Sequence, residues 1–289
     1  MGRSDRARIV IDRLRQEIDR PDTELTHDDP YQLIIAVILS AQCTDERVNK
    51  VTPKLYEAFP TVYDMAEASP DDIYPYIQSI TFPNNKSDYL AKMARRVVEE
   101  YDGTVPQSVD ELQTLSGVGR KTAQVVANVA YNNDTLPVDT HVFRVANRLG
   151  LVTEEADTPE KVERQLKRII PKDEWGVAHH LLILHGRYTC TARAPHCDAC
   201  SLTDVCKHYE RLHRLPDPRP DLDAGQGAYY CSTSDHYFDD PATHVDRYGI
   251  EQVACPRSGS MQVFDTETGQ PTKKVPDYRV NGSATATKR

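Results

Sequence analysis

The stretch that most constrains this chain is LSGVGRKTAQVVANVAYNNDTLPVDTHVFRVANRLG, residues 115–150. Gly117 and Gly119 flank Val118, between an apolar segment ending at Leu115 and the helical pattern Thr122, Val125, Val126, Val129. Glycine permits the positive φ that a tight hairpin needs, so the stretch reads as helix, hairpin, helix. The N–H groups of such a turn and of the second helix's first residues lack intrahelical partners. The helix dipole makes that end positive, so it can receive a phosphate. A Gly-x-Gly by itself also marks many ordinary turns.

Arg120 and Lys121 place two cations where a helix begins and where cations are disfavoured. A solvated surface pair is one reading. In the other, the dipole, the neighbouring Arg120 and partial burial lower the ammonium pKa of Lys121, leaving neutral amine able to attack a carbonyl carbon and form a Schiff base. Further on, Asp139 follows Leu136-Pro137-Val138 and precedes a helical pattern from Thr140 to Leu149. Its default role is an N-cap, which does not prevent catalytic work.

Cys190, Cys197, Cys200 and Cys206 are separated by six, two and five residues. Four thiols at such spacing argue for a metal centre rather than disulfides. Chemistry alone leaves a structural Cys₄ zinc site and a 4Fe-4S cluster both open.

Together, LSGVGRKTAQVV, VDTHVFRVANRLG and LHGRYTC with the cysteines that follow resemble the endonuclease III family of DNA glycosylase/AP lyases. The resemblance covers residues 1–212. It implies an all-α, two-lobed helix-hairpin-helix DNA glycosylase fold with an iron-sulfur cluster loop. It further implies Lys121 as the Schiff-base lysine, Asp139 as the catalytic aspartate, and Cys190, Cys197, Cys200 and Cys206 as ligands of a 4Fe-4S cluster. The hairpin with Gly117, Gly119 and Arg120 is expected on DNA. Arg193, with His196, is expected to meet phosphate from the cluster loop. Gln42, after the apolar run YQLIIAVILS, matches the glutamine that fills the duplex when a nucleotide is flipped out. Phe82 stands in the family's wedge loop, where glycine-leucine is common. It reads either as an intercalating ring or as a core residue. Ser116 replaces the usual hairpin proline, which leaves the glycines and the lysine in place.

The implied activity is removal of oxidised pyrimidines from damaged duplex DNA, followed by β-elimination at the abasic site. The rivals are a monofunctional mismatch or adenine glycosylase, which usually lacks the hairpin lysine, and a noncatalytic helix-hairpin-helix module. A monomer acting on DNA in the cytoplasm is expected.

Local patterns supply the elements. Asp29-Pro30 offers an N-cap and an N1 proline, Ser69-Pro70-Asp71-Asp72 a capping box, and Thr158-Pro159 another helix start. Residues 5–20 read as a first helix. His179, His180 and His185 read as packed helix residues rather than metal ligands. The expected domains are a helical barrel over 22–134, a cluster domain joining 1–21 to 135–212, a linker over 213–227, and an extension over 228–289.

That extension carries Cys231-Ser232-Thr233-Ser234 and Cys255-Pro256-Arg257-Ser258, with a strand-like segment at 260–264. It reads as a small β element, a degenerate zinc ribbon that has lost its metal, before a disordered end. Its sequence names no partner.

At 289 residues the chain can bury a real core. A mean hydropathy of -0.60 fits a soluble protein, and no apolar run reaches the ~20 residues of a membrane span. A net charge of -9 is unusual for a DNA binder and requires a local basic face on an acidic body. Asp-rich runs at 70–72 and 220–223 suggest adaptation to high salt. Activity is then expected to persist in molar potassium chloride, and an optimum at low salt with loss at molar salt would refute it.

Overall fold

A computed structural model describes residues 1–213, 219, 221–245, 251–258 and 260–273. The chain divides into two units, Met1–Ala194 and Pro195–Arg289.

The first unit is built on α2 (Pro30–Ser40), where Leu33, Ile34, Ile35 and Leu39 are fully buried. A helix apolar all round must be enclosed by others, and it is, by α3 (Asp45–Ala58), α6 (Pro83–Tyr101) and α8 (Arg120–Tyr131). The short α4 (Val62–Glu67) and α5 (Pro70–Ile77) lie on α6. One hydrophobic core, from Leu25 to Ala127, joins these helices. A second group packs α11 (Trp175–Tyr188) against α9 (Thr140–Leu149) and α1 (Arg3–Glu17). There α10 (Pro159–Ile169) leans on both α1 and α9.

The helix starts follow local chemistry. Asp29 accepts from Gln32 N at 2.8 Å with Pro30 at the first helical turn. Ser69 and Asp72 form the reciprocal capping box, and Thr158 caps α10. The first helix runs Arg3–Glu17 and ends at an extended Ile18 rather than reaching residue 20. Between α7 (Val109–Leu112) and α8, Leu115 and Val118 are buried, and Gly117 has φ +76. A Cβ on Gly117 would stand 2.8 Å from Tyr89 Cβ, so both conformation and space require glycine there.

The second unit begins at Pro195 and carries Cys197, Cys200 and Cys206, followed by α12 (Lys207–His213). Beyond it, β1 (Tyr229–Cys231) pairs antiparallel with β2 (His236–Phe238) and with β5 (Val263–Asp265). A separate antiparallel pair joins β3 (Ala242–Val245) to β4 (Glu251–Ala254). Most of the expected linker's first half, and the expected disordered end, lie outside the described residues. Among the described residues no helix is long and apolar enough to cross a membrane.

Candidate active site

Lys121 is the second residue of α8, and Asp139 caps α9. The capping is done by one oxygen: Asp139 Oδ1 accepts from His141 N and Val142 N, both at 2.8 Å. The other, Oδ2, lies 3.9 Å from Lys121 Nζ. Cap and charge partner are therefore divided between the two oxygens of one carboxylate. The aspartate side chain is 10% exposed and the lysine 55%, so the partial burial expected at Lys121 is slight. Both residues line a cleft of about 760 Å³ that Gln42 and His179 also border.

His179 is buried, with Nδ1 2.7 Å from Pro137 O. Burial first, then His180 and Lys121, hold its pKa well below the ordinary value, so the ring stays neutral. A neutral ring donating to Pro137 fixes the strand of chain that delivers Asp139. His180 and His185 are buried as well, as packed residues of α11.

Arg120 does not turn its charge toward Lys121. Its Nη2 donates to both Glu163 oxygens at 3.1 Å. Glu163, nearly buried on α10, also accepts from Gln124 at 2.9 Å and Lys167 at 2.6 Å. This network clamps the start of α8 to α10, while 56% of the Arg120 side chain remains exposed toward solvent. Burial pushes the Glu163 pKa up, but Lys167, Arg120 and Gln124 together outweigh it and the net shift is down. A depressed folded-state value means stability fully present above the ordinary range near ~4.3 and lost as pH falls through the folded value. Glu163→Gln is expected to lower stability by about 3 kcal/mol at neutral pH. In acid-unfolding curves the gap from the parent protein should close at the acidic end.

Gly119 differs from Gly117. Its φ is -82, and a Cβ built there meets nothing within 4 Å. The turn does not need this glycine for its conformation, as the sequence argued for both. What Gly119 provides is open space over the first N–H groups of α8, where a ligand's backbone can approach.

Gln42 and Phe82 are both exposed non-glycine residues in the left-handed region, at φ 56 and φ 57. Phe82 is 58% exposed, which excludes the core reading. Such backbones cost about 1–3 kcal/mol each and persist where surrounding contacts enforce them. Here Thr81 Oγ1 donates to Gln42 O at 2.9 Å. Beneath them, buried Lys86 donates to Leu39 O at 2.8 Å and Ala41 O at 2.7 Å. The ammonium thus closes the C-terminus of α2 and joins the two loops. Burial lowers its pKa, partly opposed by Cys43. Lys86→Met is expected to destabilise by about 2–4 kcal/mol, since it strips charge-assisted bonds from buried carbonyls. Thermal unfolding and binding to an abasic duplex should weaken together.

The loop that follows α11 is held from α9. Arg144 donates to Cys190 O at 3.1 Å and Gly186 O at 2.7 Å. Arg148 donates to Thr191 O at 2.6 Å and Ala192 O at 2.8 Å, leaving the neighbouring Arg193 exposed. Arg187 bonds Asp45 at 2.6 Å and also pairs with Glu24, which bridges to Tyr188. Sequence reading missed Lys86, Glu163, Arg144, Arg148 and Arg187. The i, i+4 spacings of Arg144 with Arg148 on α9 and of Glu163 with Lys167 on α10 were the local signals available.

Residues 35–172 match the HhH-GPD superfamily of base excision DNA repair proteins. Over 203 residues the chain is 42% identical to endonuclease III of Haemophilus influenzae, spanning 70% of this chain and 95% of that protein. The chain belongs to the endonuclease III family. Endonuclease III of Escherichia coli strain K12 is likewise 42% identical, with 70% and 95% covered. The fold is similar to that of a trapped endonuclease III-DNA covalent intermediate, an estranged-adenine complex, with a TM-score of 0.70 and 40% identity. That match covers 74% of this chain and 100% of the other. Lys121 and Asp139 both fall within residues 35–172, the span that matches the superfamily.

Proposed function

We propose that this chain removes oxidised pyrimidines from duplex DNA and then cleaves the strand at the abasic site. The observation that carries the reading is Lys121 Nζ standing 3.9 Å from the largely shielded carboxylate of Asp139 in an open cleft. Family membership and the match to a trapped endonuclease III-DNA covalent intermediate support it.

In the reaction, the flipped nucleotide enters the cleft and Lys121 Nζ attacks the sugar's C1′. The C1′–N bond breaks, and the base leaves with its electron pair and a proton. Asp139 Oδ2 stabilises positive charge developing on the sugar or relays the proton released by the amine. Ring opening gives an imine between Nζ and C1′. The imine is an electron sink that acidifies C2′–H. Loss of that proton expels the 3′ phosphate as the C3′–O bond breaks. Gln42 fills the space in the stack and Phe82 wedges beside it, held as a pair by Thr81 and Lys86. The N–H groups opened by Gly119 receive a backbone phosphate, as does Arg193.

Cys190, Cys197, Cys200 and Cys206 would hold the family's 4Fe-4S cluster. The donor set fits: the thiols are half-buried, Arg148 Nη1 lies 3.4 Å from Cys190 Sγ, and Tyr209 N donates to Cys206 Sγ at 3.4 Å. Hydrogen bonds of this kind stabilise cluster sulfurs. The cluster would supply a structural staple for the loop bearing Arg193, and it takes no part in the bond changes.

The test incubates the purified protein with duplexes carrying thymine glycol or an abasic site, with and without borohydride. Covalent trapping on both is expected. Trapping on the abasic duplex alone would restrict the protein to strand cleavage. Trapping on neither would favour a noncatalytic DNA-binding module.

A further inference from the structure

The extension carries a group of donors that endonuclease III chemistry does not use. Cys231 ends β1 and His236 begins β2, and the two are directly paired across the hairpin, so their side chains share one face. Cys255 follows β4, in the other sheet. The Sγ atoms of Cys231 and Cys255 and a ring nitrogen of His236 all lie within 4.8 Å of one another. Among the described residues this is the group of three cysteine, histidine or carboxylate residues whose donor atoms converge.

We propose that Cys231, His236 and Cys255 bind one zinc ion, with an oxygen at the fourth position. A tetrahedron with Zn–S near ~2.3 Å and Zn–N near ~2.0–2.1 Å has donor-to-donor edges of roughly 3.5–3.8 Å. Cys255 Sγ lies 3.9 Å from His236 Nε2, so only small side-chain adjustments are needed. The histidine is already oriented: Ser234 Oγ is 2.9 Å from Nδ1, which leaves Nε2 to face the thiols. Ligating histidines are usually fixed through their second nitrogen in this way. Ser258 N donates to Cys255 Sγ at 3.3 Å, and Ser258 Oγ lies 3.5 Å from Cys231 Sγ. That hydroxyl, or a water beside it, takes the fourth position.

Both segments read Cys-x-x-Ser, the second resembles a zinc-ribbon knuckle with serine in place of its second cysteine, and the sequence reads the ribbon as having lost its metal. His236 changes the donor count. It lies outside both knuckles, and only the β1–β2 register brings it opposite Cys231. Two thiolates, one imidazole and an oxygen suit zinc in tetrahedral geometry and fall short of the four thiolates an iron-sulfur cluster takes. The need for a staple is physical. The buried cluster around the site consists of Cys231, Cys255 and Val263, with Tyr229, Phe238 and Val253 packed on it, and Tyr230, Ala254 and Phe264 are also buried among the described residues of the extension. So small a core rarely holds strands together without a metal or disulfide.

The experiment measures zinc and iron in the full-length protein by mass spectrometry of the elements, with zinc K-edge absorption on the same sample. The expected result is one zinc per chain in addition to any iron, in a shell of two sulfurs and two lighter atoms. Cys231→Ala with Cys255→Ala should lose the zinc and keep the iron. Should that variant fail to fold, Ser258→Cys gives an independent reading: zinc is kept and the sulfur count rises from two to three. Absence of zinc, a shell of four sulfurs, a sulfur count unmoved by Ser258→Cys, or a mass showing Cys231 and Cys255 oxidised to a disulfide would each overturn the assignment.

Discussion

Lys121→Ala is expected to abolish borohydride trapping on both thymine glycol and abasic duplexes. Among the described residues Lys121 Nζ is the amine paired with Asp139 Oδ2, so without it the proposed imine has no nucleophile. The same substitution should not harm the fold. The side chain is 55% exposed, and alanine is the best helix former. Removing a cation from the first turn of α8 also relieves an unfavourable interaction with the dipole, worth about 0.3–1 kcal/mol. Thermal unfolding is therefore expected at the parent temperature or slightly above it. Binding to an abasic duplex should survive, because the hairpin N–H groups, Gln42 and Phe82 are untouched. Loss of chemistry with stability and binding intact separates a nucleophile from a surface lysine. Trapping at the parent level would refute the assignment.

What the sequence made legible was local. Asp29-Pro30, Ser69 to Asp72 and Thr158-Pro159 each start a helix through partners within four residues, and each is found as read. The apolar run in α2 reads as buried because no face of it could tolerate water. The place of the hairpin follows from such signals, whereas the fold class came from the resemblance to the endonuclease III family. The network around the site does not. Lys86 reaches Leu39 and Ala41, Glu163 reaches Arg120, and His179 reaches Pro137, all between residues far apart in the chain. A buried lysine or glutamate has the same one-letter code as a solvated one, and only packing distinguishes them. Phe82 shows the same limit: its sequence context admits either core or wedge, and the positive φ at the start of α6 turns the ring outward.

These distant contacts have one common effect, which is to remove freedom from the groups proposed to meet DNA. Lys86 and Thr81 make the Gln42 and Phe82 loops a single piece. Glu163 fixes the first turn of α8, and Arg148 fixes the chain before Arg193. Positioning of this kind lets binding energy go into flipping a nucleotide rather than into ordering loops.

Asp139→Asn is expected to reduce base excision by about 10²–10⁴-fold while leaving the fold unchanged. The division of labour within the carboxylate makes the experiment decisive. Asparagine caps helices as well as aspartate does, so its side-chain oxygen can keep the bonds from His141 and Val142. What disappears is the negative charge on the atom facing Lys121. Asp139→Ala removes both functions, and should cost about 1 kcal/mol of stability on top of the same loss of rate. Single-turnover rates on the two substrates then resolve what the charge does. If Asp139 stabilises the sugar cation as the base departs, excision of thymine glycol falls far more than trapping at a preformed abasic site, where no base remains to leave. If it serves proton transfer around Lys121, both fall together, because both require a neutral amine. An Asp139→Asn protein with parental rates on both substrates would reduce the residue to a helix cap.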